Sequence, residues 1–141
     1  MKYMSWEEYT TLCDKLSKEV SEEGINAVVG INRGGLIIGG IIAHRLGVPL
    51  YPVFVEHREF EEEHSPVVPE DLGKIKAIKS GTILLTEDLV YSGKCISFVK
   101  SQFPKNVTLK SLAVVCHKSA KEKSDYVGIF LNDIPVFSYD I

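Results

Sequence analysis

The feature that most constrains the fold is a series of short apolar runs, each followed by a turn and a helical pattern. NAVVGI at 26–31 is followed by a glycine pair and a helical pattern at 36–46, and TILLT at 82–86 by a Ser-Gly turn and a helical pattern at 92–103. Because these runs are apolar throughout, both faces of each strand must be buried, which is typical of parallel strands covered by helices. The sequence therefore predicts an α/β fold with a doubly wound, mainly parallel sheet and flanking helices.

The remaining elements follow from the same periodicities. Ser5 and Glu8 fit the S-x-x-E capping box, and apolar residues recur after them at helical spacing, so a first helix is predicted at 5–22. The further predicted strands are 50–55, 107–116 and 126–130, with an extended tail at 136–139.

Composition bears on size and location. The chain has 141 residues, 45% of them hydrophobic, which is enough for one domain over 1–141 with a core of its own. The net charge of −3 argues against a general nucleic-acid binder. The sequence has neither an apolar run of about 18 residues nor an apolar signal core, and its cysteines fit no disulfide framework or zinc ribbon. We therefore expect a cytoplasmic protein that binds neither membranes nor nucleic acid.

One long segment interrupts the alternation of strands and helices. Residues 57–79 are rich in glutamate and contain prolines and a glycine, with little periodicity. A connection of this length inside a compact domain is usually functional or disordered. Two interpretations stay open: a flexible lid over a binding site, or a solvated surface loop.

The turn GINRGGL at 30–36 is a candidate binding site. Ligands of open α/β sheets bind outside the carboxyl ends of the strands, where this turn would lie. Its paired glycines let the backbone approach a ligand, Arg33 offers a forked cation suited to phosphate, and the following helix adds its positive end. A tight turn with a surface arginine is the alternative.

A second candidate site lies in ILLTEDLVYSGK at 83–94, where two adjacent carboxylates, Glu87 and Asp88, precede a Ser-Gly turn. The backbone amides of 91–95 and the Ser92 hydroxyl are suited to an anion such as phosphate. Because carboxylates repel phosphate, we expect Glu87 and Asp88 to accept hydrogen bonds from sugar hydroxyls or to face a metal ion. The alternative is an acidic helix start that the helix dipole favours.

Together these motifs resemble those of one enzyme family. LLTEDLVYSGKC at 84–95 resembles the phosphoribosyl diphosphate (PRPP) signature of type I phosphoribosyltransferases, and GINRGGL resembles the pyrophosphate loop of that family. AVVCHK, which ends at Lys118, and the tail at 117–141 are similar to the base-recognition strand and hood of small xanthine–guanine and archaeal-type purine enzymes. The resemblance covers about residues 25–141 and implies the fold of this family, with 57–79 as its flexible lid.

The resemblance also implies a reaction: magnesium-dependent transfer of a phosphoribosyl group from PRPP to a 6-oxopurine (xanthine, guanine or hypoxanthine) or a related base. The products would be a nucleoside monophosphate and pyrophosphate, the context purine salvage, and the assembly a homo-oligomer, either a dimer or a tetramer. By the family pattern, the catalytic residues would be Glu87, Asp88 and Tyr91, and magnesium would bind at Asp88. The 5′-phosphate would bind at Tyr91, Ser92, Gly93, Lys94 and Cys95. Pyrophosphate would bind at Arg33 and Gly34, and the base would bind at Lys118, Ile134 and Pro135.

The sequence departs from the family pattern mainly in the base half of the site. Tyr91 stands where purine enzymes usually have an aspartate that acts at the purine N7, and tyrosine is a poor base at neutral pH. Ile134 replaces a stacking tryptophan and lacks the flat π-face of that residue. Cys95 replaces a phosphate-binding threonine, and IFLN at 129–132 replaces an acidic segment.

Three interpretations therefore stay open. The first is a transferase with a changed base preference. The second is a non-catalytic regulatory protein that binds PRPP or a nucleotide and has a degenerate base site. The third is a protein–protein interaction module on the same scaffold.

Further expectations concern single residues. The resemblance makes the peptide bond between Asn32 and Arg33 a candidate for the cis form. Cys95, next to Lys94 at a predicted helix N-terminus, is a candidate for a lowered pKa and a reactive thiol. The alternative to base recognition by Lys118 is that it is an ordinary surface lysine. Three histidines are expected to be solvated and to form no metal site: His57, His64 and His117.

Overall fold

The protein is built on a five-stranded parallel sheet. The computed structural model describes residues 2–55 and 69–140, with the backbone alone at 69–72. The strands are β1 (Tyr3–Met4), β2 (Ala27–Ile31), β3 (Leu50–Val53), β4 (Thr82–Val90), β5 (Thr108–His117), β6 (Tyr126–Leu131) and β7 (Val136–Phe137). The helices are α1 (Trp6–Val20), α2 (Asn32–Leu46), α3 (Pro69–Ala77) and α4 (Lys94–Lys100), and a 3-10 turn at Ser138–Asp140 follows β7. The strand order of the main sheet is β3-β2-β4-β5-β6.

Two hydrophobic clusters cover the two faces of this sheet. Successive residues of a strand point to opposite faces, so Val28 and Val29 belong to different clusters, as do Leu84 and Leu85. Buried residues of α1 and α2 join one cluster, and those of α3 and α4 join the other. All neighbouring strands of the main sheet are parallel. The predicted doubly wound parallel sheet with flanking helices is therefore confirmed.

The first helix begins where the capping box predicts. Ser5 Oγ accepts a hydrogen bond from the Glu8 N–H at 3.1 Å, and the Glu8 carboxylate accepts one from the Ser5 N–H at 3.4 Å. These two bonds satisfy donors that a helix start otherwise leaves without a partner. The apolar residues of the predicted stripe then face the core: Tyr9, Cys13, Leu16 and Val20.

The strand order reverses at β2, which has β3 on one side and β4 on the other. The helix that follows β2 and the helix that follows β4 pack on opposite faces of the sheet. Their first turns therefore separate and leave a crevice at the carboxyl ends of β2 and β4. Such a crevice is the usual ligand site of an open α/β sheet.

Two element boundaries near this crevice differ from the prediction by four residues each. α2 begins at Asn32 rather than at residue 36, so the glycine pair lies inside its first turn. β4 continues to Val90, so Glu87 and Asp88 lie on the strand itself. The reason is the ladder to β5, which pairs β4 as far as Val90 with Cys116.

Part of the segment 57–79, predicted as a lid or a surface loop, is a helix. α3 covers Pro69–Ala77, and Ile75 is buried in one of the two clusters. An apolar side chain that packs in the core anchors this part of the segment, so 69–77 is a helix and not the predicted loop. Residues 57–68 lie outside the described residues, and the lid stays a prediction there.

The two ends of the chain meet in a second, two-stranded sheet. β1 pairs in parallel with β7, with Tyr3 opposite Val136 and Met4 opposite Phe137. This pairing holds the C-terminal turn against the start of α1. Among the described residues, no helix combines the length and the apolar character that crossing a membrane would require.

Candidate active site

The crevice brings the two predicted motifs side by side. Gly30 pairs with Thr86 in the ladder between β2 and β4, so the end of β2 lies beside the part of β4 that directly precedes Glu87 and Asp88. α2 lies directly on β4 because Gly35 has no side chain: a Cβ there would come within 2.4 Å of the Thr86 carbonyl oxygen. The Thr86 hydroxyl donates a hydrogen bond to the Gly35 carbonyl at 2.8 Å. Gly35 therefore serves helix–strand packing, and ligand approach at the glycine pair stays a prediction.

Asn32 forms the turn between β2 and α2. Its φ of 58° lies in the left-handed region, which asparagine adopts more readily than most residues, and its side-chain oxygen accepts a hydrogen bond from the Val55 N–H at 2.9 Å. No peptide bond between described residues is cis, so the predicted cis bond between Asn32 and Arg33 is wrong. The left-handed residue makes the turn instead. Arg33 lies exposed in the first turn of α2.

Glu87 is the buried member of the acidic pair. It is only 8% exposed, and burial raises the pKa of its carboxyl group to about 8, with a smaller contribution from the charge of Asp88. The Cys95 thiol donates a hydrogen bond to this carboxyl group and opposes the shift. A carboxyl group with such a pKa is mostly protonated at neutral pH, so Glu87 can donate as well as accept hydrogen bonds.

Asp88 is held by a hydrogen bond at each carboxylate oxygen. Oδ1 accepts from the Leu89 N–H at 2.7 Å, and Oδ2 accepts from the Tyr139 hydroxyl at 2.8 Å. Burial raises the pKa of Asp88, and these two hydrogen bonds act against the increase. Each oxygen has about two lone-pair directions, so each keeps one for a further donor or a cation.

The loop after β4 is built on a glycine. Gly93 has a φ of 90°, and a Cβ there would lie 2.5 Å from the Glu122 carbonyl oxygen. Only glycine meets both conditions without strain. The Ser92 hydroxyl accepts a hydrogen bond from the Lys94 N–H at 3.3 Å, and the Glu122 carboxylate accepts one from the Ser97 hydroxyl. The segment between β5 and β6 therefore packs directly against this loop.

Two cavities flank the loop. The smaller, of about 260 Å³, is lined by Ile31, Asn32, Glu87, Asp88, Leu89, Tyr91, Ser92, Gly93 and Cys95. The larger, of about 720 Å³, is lined by Tyr91, Ser92, Gly93, Lys94, Ser97, Phe98, Ser119, Lys121 and Glu122. Three residues, Tyr91, Ser92 and Gly93, belong to both walls, so the loop separates an acidic cavity from one that carries two lysines.

The Tyr91 ring, 54% exposed, lies against His117. The two ring centroids are 4.7 Å apart, with an angle of 46° between the planes. His117 Nε2 lies 2.5 Å from the Asn132 carbonyl oxygen and therefore carries the proton of that hydrogen bond, and Nδ1 accepts from the Ser119 N–H at 3.1 Å. The expectation that His117 is simply solvated is wrong, because its ring joins the end of β5 to the C-terminal tail and supports Tyr91.

The predicted base-binding residues lie apart from these cavities. Lys118 and Ile134 are exposed and Pro135 is buried, and none of the three lines either cavity within the described part of the chain. Their roles stay predictions. The exposed π-face that Ile134 cannot supply is present at Tyr91.

The prediction of a reactive Cys95 is wrong in direction. Burial raises the pKa of the Cys95 thiol, and the charge of Glu87 raises it further. The sequence places Lys94 next to Cys95, but the structure places the thiol against a carboxyl group. A thiol with a raised pKa is mostly protonated at neutral pH and reacts slowly.

Two residues that contact the site were not predicted, Tyr139 and Glu122. Tyr139 belongs to the tail VFSYD, whose likeness to purine enzymes was the one available signal. Its contact with Asp88 spans 51 positions of sequence. Glu122 lies in a run of lysines and serines with no periodicity, and only the folding of the chain brings it to Gly93.

The carboxylate oxygens of the site suit a hard cation that is also bound by a ligand. Among the described residues, no group of three or more His, Cys, Asp and Glu side chains is arranged to hold a metal ion alone. Asp88 offers free lone pairs on both oxygens beside the smaller cavity. Magnesium is commonly held by one or two carboxylates together with water and substrate phosphates, so Asp88 fits this mode.

The fold and the site together define a class of protein. A parallel sheet whose central strand carries two carboxylates near its carboxyl end and continues into a Ser-Gly loop is the arrangement of a type I phosphoribosyltransferase. The chain belongs to the phosphoribosyl transferase domain family, whose model matches residues 5–139. The predicted family and enzyme class, a phosphoribosyltransferase, are confirmed.

Known proteins resemble the chain along most of its length. The xanthine-guanine phosphoribosyltransferase of Vibrio parahaemolyticus is 30% identical over 128 residues, which are 88% of this chain and 78% of that protein. The purine phosphoribosyltransferase of Pyrococcus horikoshii has a TM-score of 0.84 at 20% identity, and the xanthine-guanine-hypoxanthine phosphoribosyltransferase of Helicobacter pylori has 0.81 at 18%. Each structural match covers 99% of this chain and 93% of the other. At these identities the solved structures support the fold.

Proposed function

We propose that the protein transfers a phosphoribosyl group from PRPP to a 6-oxopurine or a related base in purine salvage, with magnesium. The products are a nucleoside monophosphate and pyrophosphate. One observation carries the proposal: the acidic pair, the Ser-Gly loop and Asn32 at the start of α2 all line the smaller cavity. A sugar that carries a phosphate and a diphosphate requires three such parts: one for the sugar hydroxyls, one for the phosphate and one for the diphosphate.

The chain's own residues then have distinct tasks on PRPP. Glu87 and Asp88 face the ribose hydroxyls, and the loop from Tyr91 to Cys95 takes the 5′-phosphate on its backbone amides. Arg33 and Gly34 take the pyrophosphate, where the forked guanidinium matches its oxygens. The transition state resembles an oxocarbenium ion, so these residues act by orientation and by electrostatic stabilisation.

Magnesium would be held by Asp88 together with oxygens of PRPP. Bound there, it would supply positive charge that neutralises the pyrophosphate. The fit rests on the free lone pairs of Asp88 and on the lack of a complete protein ligand set among the described residues.

The base would lie against Tyr91. The Tyr91 ring is exposed, is supported by His117 and borders both cavities. A planar base gains stacking on such a face that Ile134 does not provide. Tyr91 stands in place of the aspartate that purine enzymes usually use at N7, so the preferred base is one that needs little help with proton transfer.

A second candidate function is a non-catalytic PRPP- or nucleotide-binding regulatory protein. The observation that favours it is Tyr91 itself, which leaves the loop without the aspartate that purine enzymes usually use. The acidic pair and the Ser-Gly loop would still bind the phosphorylated sugar. The two candidates share PRPP binding and differ in turnover.

Calorimetry with PRPP in the presence and absence of magnesium is the first test, followed by a turnover screen across guanine, xanthine, hypoxanthine, adenine, uracil and orotate. We expect magnesium-dependent binding and turnover with at least one 6-oxopurine. Binding without turnover on any base would favour the regulatory protein. No binding of PRPP at millimolar concentration would exclude both candidates.

A further inference from the structure

The C-terminal turn brings Tyr139 to the acidic pair. Its hydroxyl lies 2.8 Å from Asp88 Oδ2, and since an ionised carboxylate only accepts, the hydroxyl is the donor. We propose that Tyr139 is a positioning residue that fixes the Asp88 carboxylate for the substrate. The inference rests on the proposed function, in which Asp88 faces PRPP. It extends the active site to the last residues of the chain.

The ring of Tyr139 is held by three other aromatic rings. It stacks on Phe137, with centroids 5.2 Å apart and an angle of 4° between the planes. It meets Tyr9 edge-on at 5.5 Å and Trp6 at 5.9 Å. Tyr9 and Phe137 are themselves buried, so the ring lies against fixed partners. The hydroxyl therefore has little freedom to leave Asp88.

The turn that carries Tyr139 is fixed by contacts that do not involve Asp88. The Ser138 hydroxyl donates to the Met4 carbonyl at 2.8 Å, and the Asp140 carboxylate accepts from the Phe137 N–H at 2.9 Å. The pairing of β1 with β7 adds backbone hydrogen bonds on the same side. The donor is therefore in place whether or not a ligand is bound, as preorganisation requires.

The effect of Tyr139 on Asp88 complements that of the backbone. The Leu89 N–H restrains Oδ1, and the Tyr139 hydroxyl restrains Oδ2, so together they set the plane of the carboxylate. Burial raises the pKa of Asp88, and the hydrogen bond from Tyr139 acts against that increase. Without the hydroxyl, one restraint would be left, and the carboxylate could rotate about it.

The test compares Tyr139→Phe with Tyr3→Phe. The first keeps the stacked ring and removes only the hydroxyl on Asp88. The second makes the same chemical change at a hydroxyl that lies 3.4 Å from Ser138 Oγ in the same tail. A readout free of substrate is the carbon-13 resonance of the Asp88 carboxyl group in the free protein. Tyr139→Phe should move this resonance, and Tyr3→Phe should leave it unchanged.

Kinetics with magnesium–PRPP and the best base of the screen give the second readout. In Tyr139→Phe we expect kcat/KM for PRPP to fall about tenfold, with the KM for the base unchanged, because a charge-assisted hydrogen bond to Asp88 is lost. Tyr3→Phe should match the wild-type protein, and both variants should keep its Tm within a few degrees.

Three results would overturn the inference. The first is an unmoved Asp88 resonance in Tyr139→Phe, and the second is an unchanged kcat/KM for PRPP in a protein whose wild type is active. The third is an equal loss in both variants that follows their Tm, since it would assign Tyr139 to tail packing alone. A wild-type protein that neither binds nor uses PRPP would refute the proposed function, whereas the resonance would still decide whether Tyr139 orients Asp88.

Discussion

The Asp88 carboxylate occupies the space in which a side chain at Gly34 would begin. A Cβ built on Gly34 would lie 1.9 Å from Asp88 Oδ2, far inside van der Waals contact. The start of α2 and the end of β4 therefore approach each other as closely as their atoms allow. Gly34 is the residue that makes this approach feasible, and the two halves of the proposed PRPP site meet at this point.

Gly34→Ala should disrupt the site more than the fold. The added methyl group must displace the Asp88 carboxylate, which the Tyr139 hydroxyl holds, so we expect the Kd for magnesium–PRPP to rise at least about tenfold, with a loss of stability of about 1–3 kcal/mol. Gly40→Ala on the same helix is the control, because its Cβ would meet only Leu50 Cδ2 at 3.8 Å. Calorimetry and urea unfolding of both variants measure the two effects. Equal PRPP affinity in the two variants would contradict the prediction.

Tyr91→Asp should restore proton transfer to the base. General acid–base groups contribute about 10²–10⁴-fold, so we expect kcat with a 6-oxopurine to rise by about tenfold or more, with PRPP affinity little changed. Steady-state kinetics with guanine, xanthine and hypoxanthine measure the change.

Two further variants separate the ring of Tyr91 from its hydroxyl. Tyr91→Phe keeps the face that lies on His117, so the KM for the base should stay within about threefold, whereas Tyr91→Ala should raise it about tenfold. Intact PRPP binding without any gain of turnover in Tyr91→Asp would favour the regulatory protein. A normal KM for the base in Tyr91→Ala would argue against stacking.

Glu87 should make stability depend on pH. Its pKa is raised from 4.5 to about 8 in the folded protein, so the folded state holds this proton more tightly than the unfolded chain. The free energy of unfolding should therefore fall as pH rises from about 4.5 to about 8. Glu87→Gln carries no charge and should exceed wild-type stability at pH 8 by on the order of 4 kcal/mol, with the difference vanishing toward pH 4.5.

Urea unfolding at several pH values without magnesium measures this difference. Glu7→Gln, an exposed change in the first turn of α1, is the control and should alter stability by less than about 0.5 kcal/mol at every pH. A stability difference between Glu87→Gln and the wild type that is the same at pH 5 and pH 8 would show that Glu87 titrates normally.

The cysteines should react slowly with thiol reagents in the native protein. Cys13 and Cys116 are buried, and the Cys95 thiol is partly buried and donates to Glu87, which keeps its pKa high. We expect labelling at pH 8 to be at least about tenfold slower than for free cysteine, because little thiolate forms. In denaturing urea all three should react at the normal rate. The structure would be contradicted if one thiol per native protein molecule were labelled rapidly and this rapid labelling were lost in Cys95→Ala.

The sequence by itself determined the sheet, the first helix and the two motifs of the crevice. Those features depend on local signals: the apolar runs of β2 and β4, the capping box of Ser5 and Glu8, and the order of acids and glycine in TEDLVYSG. Element boundaries were less accurate at the crevice. There the ladder to β5 extends β4, and the glycines let α2 begin early.

Only the tertiary structure decided which side chains complete the site. The Tyr139 hydroxyl reaches Asp88, Glu122 packs on Gly93, and Cys95 faces Glu87 rather than Lys94. Contacts of this kind depend on how strands are ordered and how the tail folds back, and no periodicity along the chain encodes the resulting distances. The direction of the Cys95 pKa shift also depends on burial and on a neighbouring charge. Both are properties of the folded chain that its sequence does not display.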